Sequence, residues 1–307
     1  MWIFIDLLVM MIMVLISVAF LTLLERKILG YIQDRKGPNK IMLLGLFQPF
    51  SDALKLLSKE WYFFNYSNLY ILSPMLMFLM SLIMWILYPW INLIYYLNYS
   101  ILFMLLILGL SVYPVLFVGW ISNCNYAIMG SMRLVSTMIS FEINLFFLVF
   151  SLMILIESFS FLEFINYQYM IKFVILVFPL YLMFFMSMLI ELNRTPFDLI
   201  EGESELVSGF NIEYYSGMFV LIFLSEYMNI MFMSLILNLM FFGLNYWSMM
   251  FIFIYLYHIC LIIWVRGILP RIRYDKLMYI CWTEMLMIVM IYLMYLYYMK
   301  EIMNLIS

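Results

Sequence analysis

The 307-residue chain is 68% apolar, 20% aromatic and only 11% charged, with a formal net charge of −3, whereas a soluble domain carries about 25% charged residues. Repeated runs of 18 or more nearly uncharged residues exclude a soluble fold and predict spanning helices of about 20 residues each, the length a hydrocarbon core near 30 Å requires. The expected fold class is an all-α integral membrane protein, one domain over residues 1–307, with about eight transmembrane helices and one amphipathic interfacial helix.

The first expected span runs from Trp2 to Leu24; without a basic leader it reads as a full-length span and not as a cleavable signal. The loop 25–68 follows, carrying LLERKILGYIQDRKGPNK and then QPFSDALKLLSKE. In the second piece Phe50, Ala53, Leu54, Leu57 and Trp61 recur at helical spacing opposite Ser51, Asp52, Lys55, Ser58 and Lys59, with Pro49 suited to a first turn. This pattern predicts a helix lying in the membrane interface; a plain surface anchor has the same pattern.

Spans are then expected at Leu69 to Ile91, Ile101 to Ile121, Leu134 to Ile156 and Ile171 to Ile190. The loop 191–216 opens the stretch ELNRTPFDLIEGESELVSGFNIEYYSGM, which holds Glu191, Asp198, Glu201, Glu203, Glu205 and Glu213 between two apolar spans. Further spans are expected at Gly217 to Phe241, Trp247 to Val265 and Leu277 to Met299, the last two joined by the basic loop 266–276.

Charge distribution orients the bundle. Thirteen of the 15 Lys and Arg fall in one set of connections, and only Lys172 and Lys300 lie on the other side; the positive-inside rule then puts the acidic stretch in the compartment of the basic loops, with both termini opposite.

Two carboxyls lie deep. Glu142 sits about 12 Å from the basic end of its helix and Glu226 about 15 Å from the start of its own. Desolvation favours the neutral form of a carboxyl group, so acids at such depth hold or pass protons, and they mark functional sites. Glu191, at a helix end, connects that depth to the loop. Glu201 and Glu205 share a face if their segment is helical, and crowded carboxyls titrate as a coupled group; an acidic loop merely solvated by water is the simpler reading. Asp198 close to Arg194 reads equally as a structural ion pair, and Arg133, the sole cation of its connection, as a balance for Glu142 or an orientation signal. The scattered Cys124, Cys260 and Cys281 lack the four-thiolate pattern of an iron-sulfur site, and no glycines are spaced as GxG. No flavin, haem, iron-sulfur or nicotinamide group is therefore expected on this chain, and no nucleic acid among its partners.

The four ordered motifs LERKILGYIQDRKGPN, QPFSDALKLLSKE, NRTPFDLIEGESELVSGFNIEY and WVRGILPRIRYDKLM resemble the chain 1 family of respiratory NADH:ubiquinone oxidoreductase, complex I, over essentially the whole chain. That resemblance implies a core subunit at the foot of the membrane arm, with ubiquinone as substrate. It also implies a docked hydrophilic iron-sulfur subunit, further membrane-arm subunits and surrounding phospholipids as partners. It assigns Glu25, Arg26 and Arg273 to the quinone cavity or its support, Phe223 and Tyr227 to aromatic positions near the channel, and Asp52 to the entrance of the acidic path. The acidic path itself would comprise Glu142, Glu191, Glu201, Glu203, Glu205, Glu213 and Glu226, with Arg133, Arg194 and Asp198 as supporting charges. Thirty-two methionines fit a mitochondrial gene reading AUA as methionine, although Met also fills adaptable cores; the expected site is the mitochondrial inner membrane, basic loops in the matrix and termini in the intermembrane space.

Departures from the family pattern include Thr137 for glutamine and Phe141 for tyrosine, which removes one phenolic hydroxyl near Glu142. The alternatives are a membrane anchor of a related hydrogenase without quinone, and an independent ion transporter, disfavoured because no inverted repeat or broken-helix pair is visible. Outside the family pattern, His258 and Glu284 lie at equal depth in the seventh and eighth spans, which predicts a buried pair if those helices are neighbours.

Overall fold

The computed structural model describes residues 2–60, 68–88, 97–198, 209–211, 213–245 and 247–306. These residues build an all-α membrane protein. Helix α1 (Trp2–Ile32) outruns its expected span by eight residues and so carries Glu25 and Arg26 on a continuous helix. A loop with a short 3-10 turn leads to α2 (Gln48–Leu57), opened by Pro49, whose missing N–H is harmless in a first turn. None of its residues is buried within the chain, and Leu54 and Leu57 are exposed, as an interface helix requires. It ends before Trp61, which lies outside the described residues.

The long helices follow: α3 (Leu69–Trp85), α4 (Ser100–Ile121) and α5 (Asn125–Ile156), then the short α6 (Phe161–Tyr167). Because α5 begins at Asn125, Arg133 stands on a helix turn and not in a connecting loop, a correction to its expected setting. The span expected from Ile171 to Ile190 is broken, again contrary to expectation: α7 (Phe173–Leu176) stops at Val177 (φ −129°, ψ 50°), and α8 (Phe178–Glu191) restarts. Pro179 explains the break, since it has no N–H to bond the Ile175 carbonyl four residues before it and its ring crowds that carbonyl.

After the acidic stretch come α9 (Ser216–Leu237), widened into a π turn over Asn238–Phe242, and α10 (Met249–Ile268). A final stretch runs from α11 (Tyr274–Tyr279) through a second π turn, Ile280–Met285, into α12 (Leu286–Ile306). Six of these stretches are long and apolar enough to cross a bilayer, and Leu69–Trp85 and Phe178–Glu191 are shorter apolar helices.

Packing sets α3 between α4 and α9, α5 against α4, α8 and α12, and α1 against α9 and α10. Lipid is as apolar as leucine, so close approach and hydrogen bonds hold such helices together more than hydrophobic burial does. Accordingly a Cβ on Gly119 of α4 would meet Ser131 Oγ of α5 at 2.1 Å. The buried Asn144 of α5 donates to the Cys281 carbonyl in the second π turn, 3.2 Å, adding a side-chain bond to a carbonyl that also accepts from the Leu286 backbone N–H. The first π turn is met in the same way: Gln168, fully buried, donates to the Met240 carbonyl at 2.7 Å, and Lys172 Nζ reaches the Gly243 carbonyl at 3.3 Å.

Neighbourhood in sequence misleads for the last helices. His258 is fully buried, its Nε2 3.2 Å from the Tyr181 hydroxyl, whereas Glu284 is exposed. The expected pair is therefore not formed: α12 packs on α5 and α10 on α1 and α9, so equal depth does not bring the two side chains together.

Replacing Gln168 by leucine leaves the Met240 carbonyl buried without its donor, a loss of about 1–3 kcal/mol. The expected outcome is a lower melting temperature of the purified assembly, with a Gln168→Glu substitution worse still.

Candidate functional site: a buried charge cluster beside a polar cavity

Glu25 is the centre of the site. It lies on α1 with only 6% of its surface exposed, at a depth where an unpaired carboxylate is costly. Three side chains from three other segments meet it. Arg266, in the last turn of α10, donates from Nη1 to Glu25 Oε1, and Arg194, after α8, approaches the same oxygen at 3.7 Å. Tyr227 of α9 donates to the other oxygen, Oε2, at 2.7 Å.

Arg194 is shared. Its guanidinium lies 4.7 Å from the centroid of the Tyr227 ring, a cation–π contact, and its Nη2 is 3.9 Å from Glu226 Oε2. Position 194 follows directly on the α8 C-terminus, and Phe197 N bonds back to the Arg194 carbonyl at 2.9 Å, which holds the turn compact. Phe223 lies one turn before Tyr227, with ring centroids 6.5 Å apart.

Beside this cluster lies a cavity of about 70 Å³ enclosed by α3, α4, α5, α9 and the end of α8. Its polar wall comprises Glu191, Arg194, Asp198, Glu226 and Asn229, with Ser81, Ser111 and Ser225. A site this polar holds water readily, since ~10–15 Å³ suffices for one molecule. Glu142 does not line it; it lies on α5 within electrostatic reach of Glu191, its Oε1 2.6 Å from where Gly109 of α4 would carry a Cβ. The missing side chain at Gly109 is what leaves room for the carboxyl.

Around the cluster the expected residues divide. Asp198 accepts from Arg271 at 3.4 Å while sharing the cavity with Arg194. Asp52 of α2 takes Arg26 of α1 on one oxygen and Gln48 on the other at 2.9 Å, a clamp between the two helices at the surface. Glu213 is engaged through its carbonyl, which accepts from Tyr70 at 2.7 Å; the Tyr70 and Tyr214 rings stack 4.6 Å apart. Burial pushes the Tyr214 phenol up to about 12, so it stays protonated beside Ser73 Oγ, 3.2 Å away. Arg273 is exposed at the start of α11, and Arg133 is partly buried on α5. Glu201, Glu203 and Glu205 lie outside the described residues.

Sequence reasoning missed Arg266 as the partner of Glu25, having read it only as an orientation charge. Its place at the basic end of a long apolar span was the available signal. Arg271 and Asn229 had no comparable signal.

A second cavity, apolar and about 610 Å³, runs between α1, α9, α10 and the end of α3. Met10, Val14, Phe20 and Leu24 line it from α1 and Met231, Leu235 and Ile259 from the facing helices, so it begins one residue from Glu25.

The fold and this site define a multi-pass α-helical membrane protein built around a buried network of acids and arginines. The NADH dehydrogenase family model matches residues 5–297. NADH-ubiquinone oxidoreductase chain 1 of Apis mellifera ligustica is 83% identical over 98% of this chain and 99% of its own, that of Aedes aegypti 49% over 94% and 93%, and that of Papio hamadryas 42% over 94% of each. The chain belongs to the NADH-ubiquinone oxidoreductase chain 1 family.

Substituting Arg266 by methionine leaves Glu25 with Arg194 and Tyr227 alone, and the about 3–5 kcal/mol for breaking a buried pair from one side is the ceiling of its cost. Reduced assembly and thermal stability are expected. Tyr227→Phe removes one neutral donor to a charged group, about 1.5–3 kcal/mol, and should be the milder variant in the same assay.

Proposed function

We propose that this chain forms part of the ubiquinone cavity of a proton-pumping NADH-ubiquinone oxidoreductase and carries the acidic path that couples quinone reduction to proton translocation. The observation that carries the reading is the shared Arg194, which touches Glu25 on one side and Glu226 on the other. Ubiquinone needs an apolar route for its tail and a polar place for its head group; the apolar 610 Å³ cavity, lined as far along α1 as Leu24, supports the first, and the charge cluster on the next residue, Glu25, supports the second. Reduction of a quinone to a quinol consumes two electrons and two protons. Negative charge arriving near Arg266 and Arg194 competes with Glu25 and Glu226 for the same cations. A carboxylate that loses its cation binds a proton more readily, so electron arrival changes how many protons the acids hold. Glu191 and Glu142 would then pass protons inward from the cavity, and the loop acids Glu201, Glu203, Glu205 and Glu213 would serve its mouth.

In this reading the whole chain is one transmembrane domain. It sits in the mitochondrial inner membrane with its basic loops in the matrix and both termini in the intermembrane space. Arg26, Arg35 and Arg273 face a hydrophilic subunit that brings electrons from an iron-sulfur cluster, and other membrane-arm subunits and phospholipids surround the rest. The chain is one subunit of the enzyme and not a catalyst alone.

Glu142→Gln and Glu226→Gln should each lower the number of protons moved per electron in reconstituted vesicles, while assembly on native gels stays intact. Unchanged pumping in both removes them from the mechanism.

A further inference from the structure

The far ends of α5 and α12 hold a second charged group that the coupling site does not use. Two contacts join α5 to the stretch from α11 to α12. Ser136 Oγ and the Tyr274 hydroxyl meet at 2.7 Å near the basic loops, and Lys300 Nζ meets Glu157 Oε1 at 2.6 Å at the other end. Along α5 the two are 21 residues apart, or roughly 31 Å, about the thickness of the hydrocarbon core. Lys300 and Glu157 therefore stand at headgroup level in the leaflet away from the basic loops.

Between them opens a cavity of about 270 Å³ lined on the polar side by Glu157, Ser158, Lys300 and Glu301 and on the apolar side by Phe150, Met153 and Tyr297. Lys300 is mostly buried and also donates to the Ile154 carbonyl, so it is held in the wall and does not reach out toward solvent. Ser158 Oγ is buried and has no hydrogen-bond partner among the described residues. Glu157 ends α5 with φ 60°, a left-handed conformation that glycine normally supplies at this position; backbone strain of this kind accompanies ligand clamps. Glu301 is exposed and has no ion pair among the described residues. One cation thus faces two carboxylates, and a hydroxyl oxygen awaits a donor.

We propose that this cavity binds the phosphoethanolamine headgroup of a phospholipid. Its phosphate suits Lys300. Its primary ammonium supplies three N–H donors for Glu157, Glu301 and Ser158 Oγ, and places a second cation between the two carboxylates. A trimethylammonium group carries the same charge but no N–H, so it leaves Ser158 Oγ and Glu301 without a donor and Glu157 with Lys300 alone. One acyl chain lies along Met153 and Phe150 and continues over Phe146, whose ring stacks with that of Phe150 at 6.1 Å.

The test uses the intact assembly in nanodiscs, with photoactivatable phosphatidylethanolamine or phosphatidylcholine carrying the reactive group near the headgroup, and mass mapping of labelled peptides. At equal lipid fractions, peptides covering residues 150–159 and 297–301 should be labelled at least fivefold more by the ethanolamine lipid. Glu301→Gln, an exposed change with no partner to disturb, should cut that preference to twofold or less with assembly unchanged; Lys300→Met should lower labelling by both lipids. Equal labelling by the two lipids in the native assembly overturns the proposal. So does crosslinking that joins these residues to a neighbouring protein chain, which makes the cavity a subunit interface.

Discussion

The buried carboxylate of Glu25 is the constraint on which the arrangement of this bundle depends. A charge at that depth must be met from several directions, and it is met by α10 through Arg266, by the turn after α8 through Arg194 and by α9 through Tyr227. Those segments approach α1 with no large hydrophobic driving force between lipid-solvated helices. The electrostatic requirement therefore does much of the work that a hydrophobic core does in water. It also explains why α1 continues past its expected span: the helix must keep Glu25 in register with partners 169 to 241 residues away in sequence.

Around that centre the polar groups form two tiers. The upper tier is saturated, with both Glu25 oxygens engaged and Arg26, Gln48 and Asp52 clamping α2 onto α1. The lower tier borders open space. Glu226 lies 3.9 Å from Arg194, and the polar part of the cavity wall, with its serines, Asn229 and acids, faces space fit for water. Tight pairing fixes geometry, whereas carboxyls beside water can change protonation without dismantling the fold. The two tiers suit a site in which one part stays put and an adjacent part responds.

The membrane class was legible in the sequence because a bilayer forces long uncharged runs, and composition alone reports those runs. Glu25, Arg194, Glu226 and Tyr227 were also singled out from the sequence, and they meet in space. Hydropathy gives depth along a helix and says nothing of its azimuth or its neighbours, which is why Arg266 was not recognised as the partner of Glu25 and why His258 and Glu284 were wrongly joined. The break at Val177 was a different omission. Pro179 was in plain view, but the continuous apolar run around it outweighed the local backbone rule.

The π turn at Ile280–Met285 sets the angular phase of everything after it. Each residue advances an α-helix by about 100°, and a π turn holds more residues than the α turn it replaces, so the widened segment rotates the outgoing face of α12 relative to α11. Asn144 grips the Cys281 carbonyl within it. Beyond it the same rotation decides which way Val289, Leu296 and Lys300 point, two of them into the bundle and the third toward Glu157. Shortening the segment by one residue would keep the helix and its hydropathy, yet turn that whole face about a quarter of a revolution. Here the bulge acts as a gear offset, and two parallel rods mesh at their far ends only because one of them has been indexed near its start.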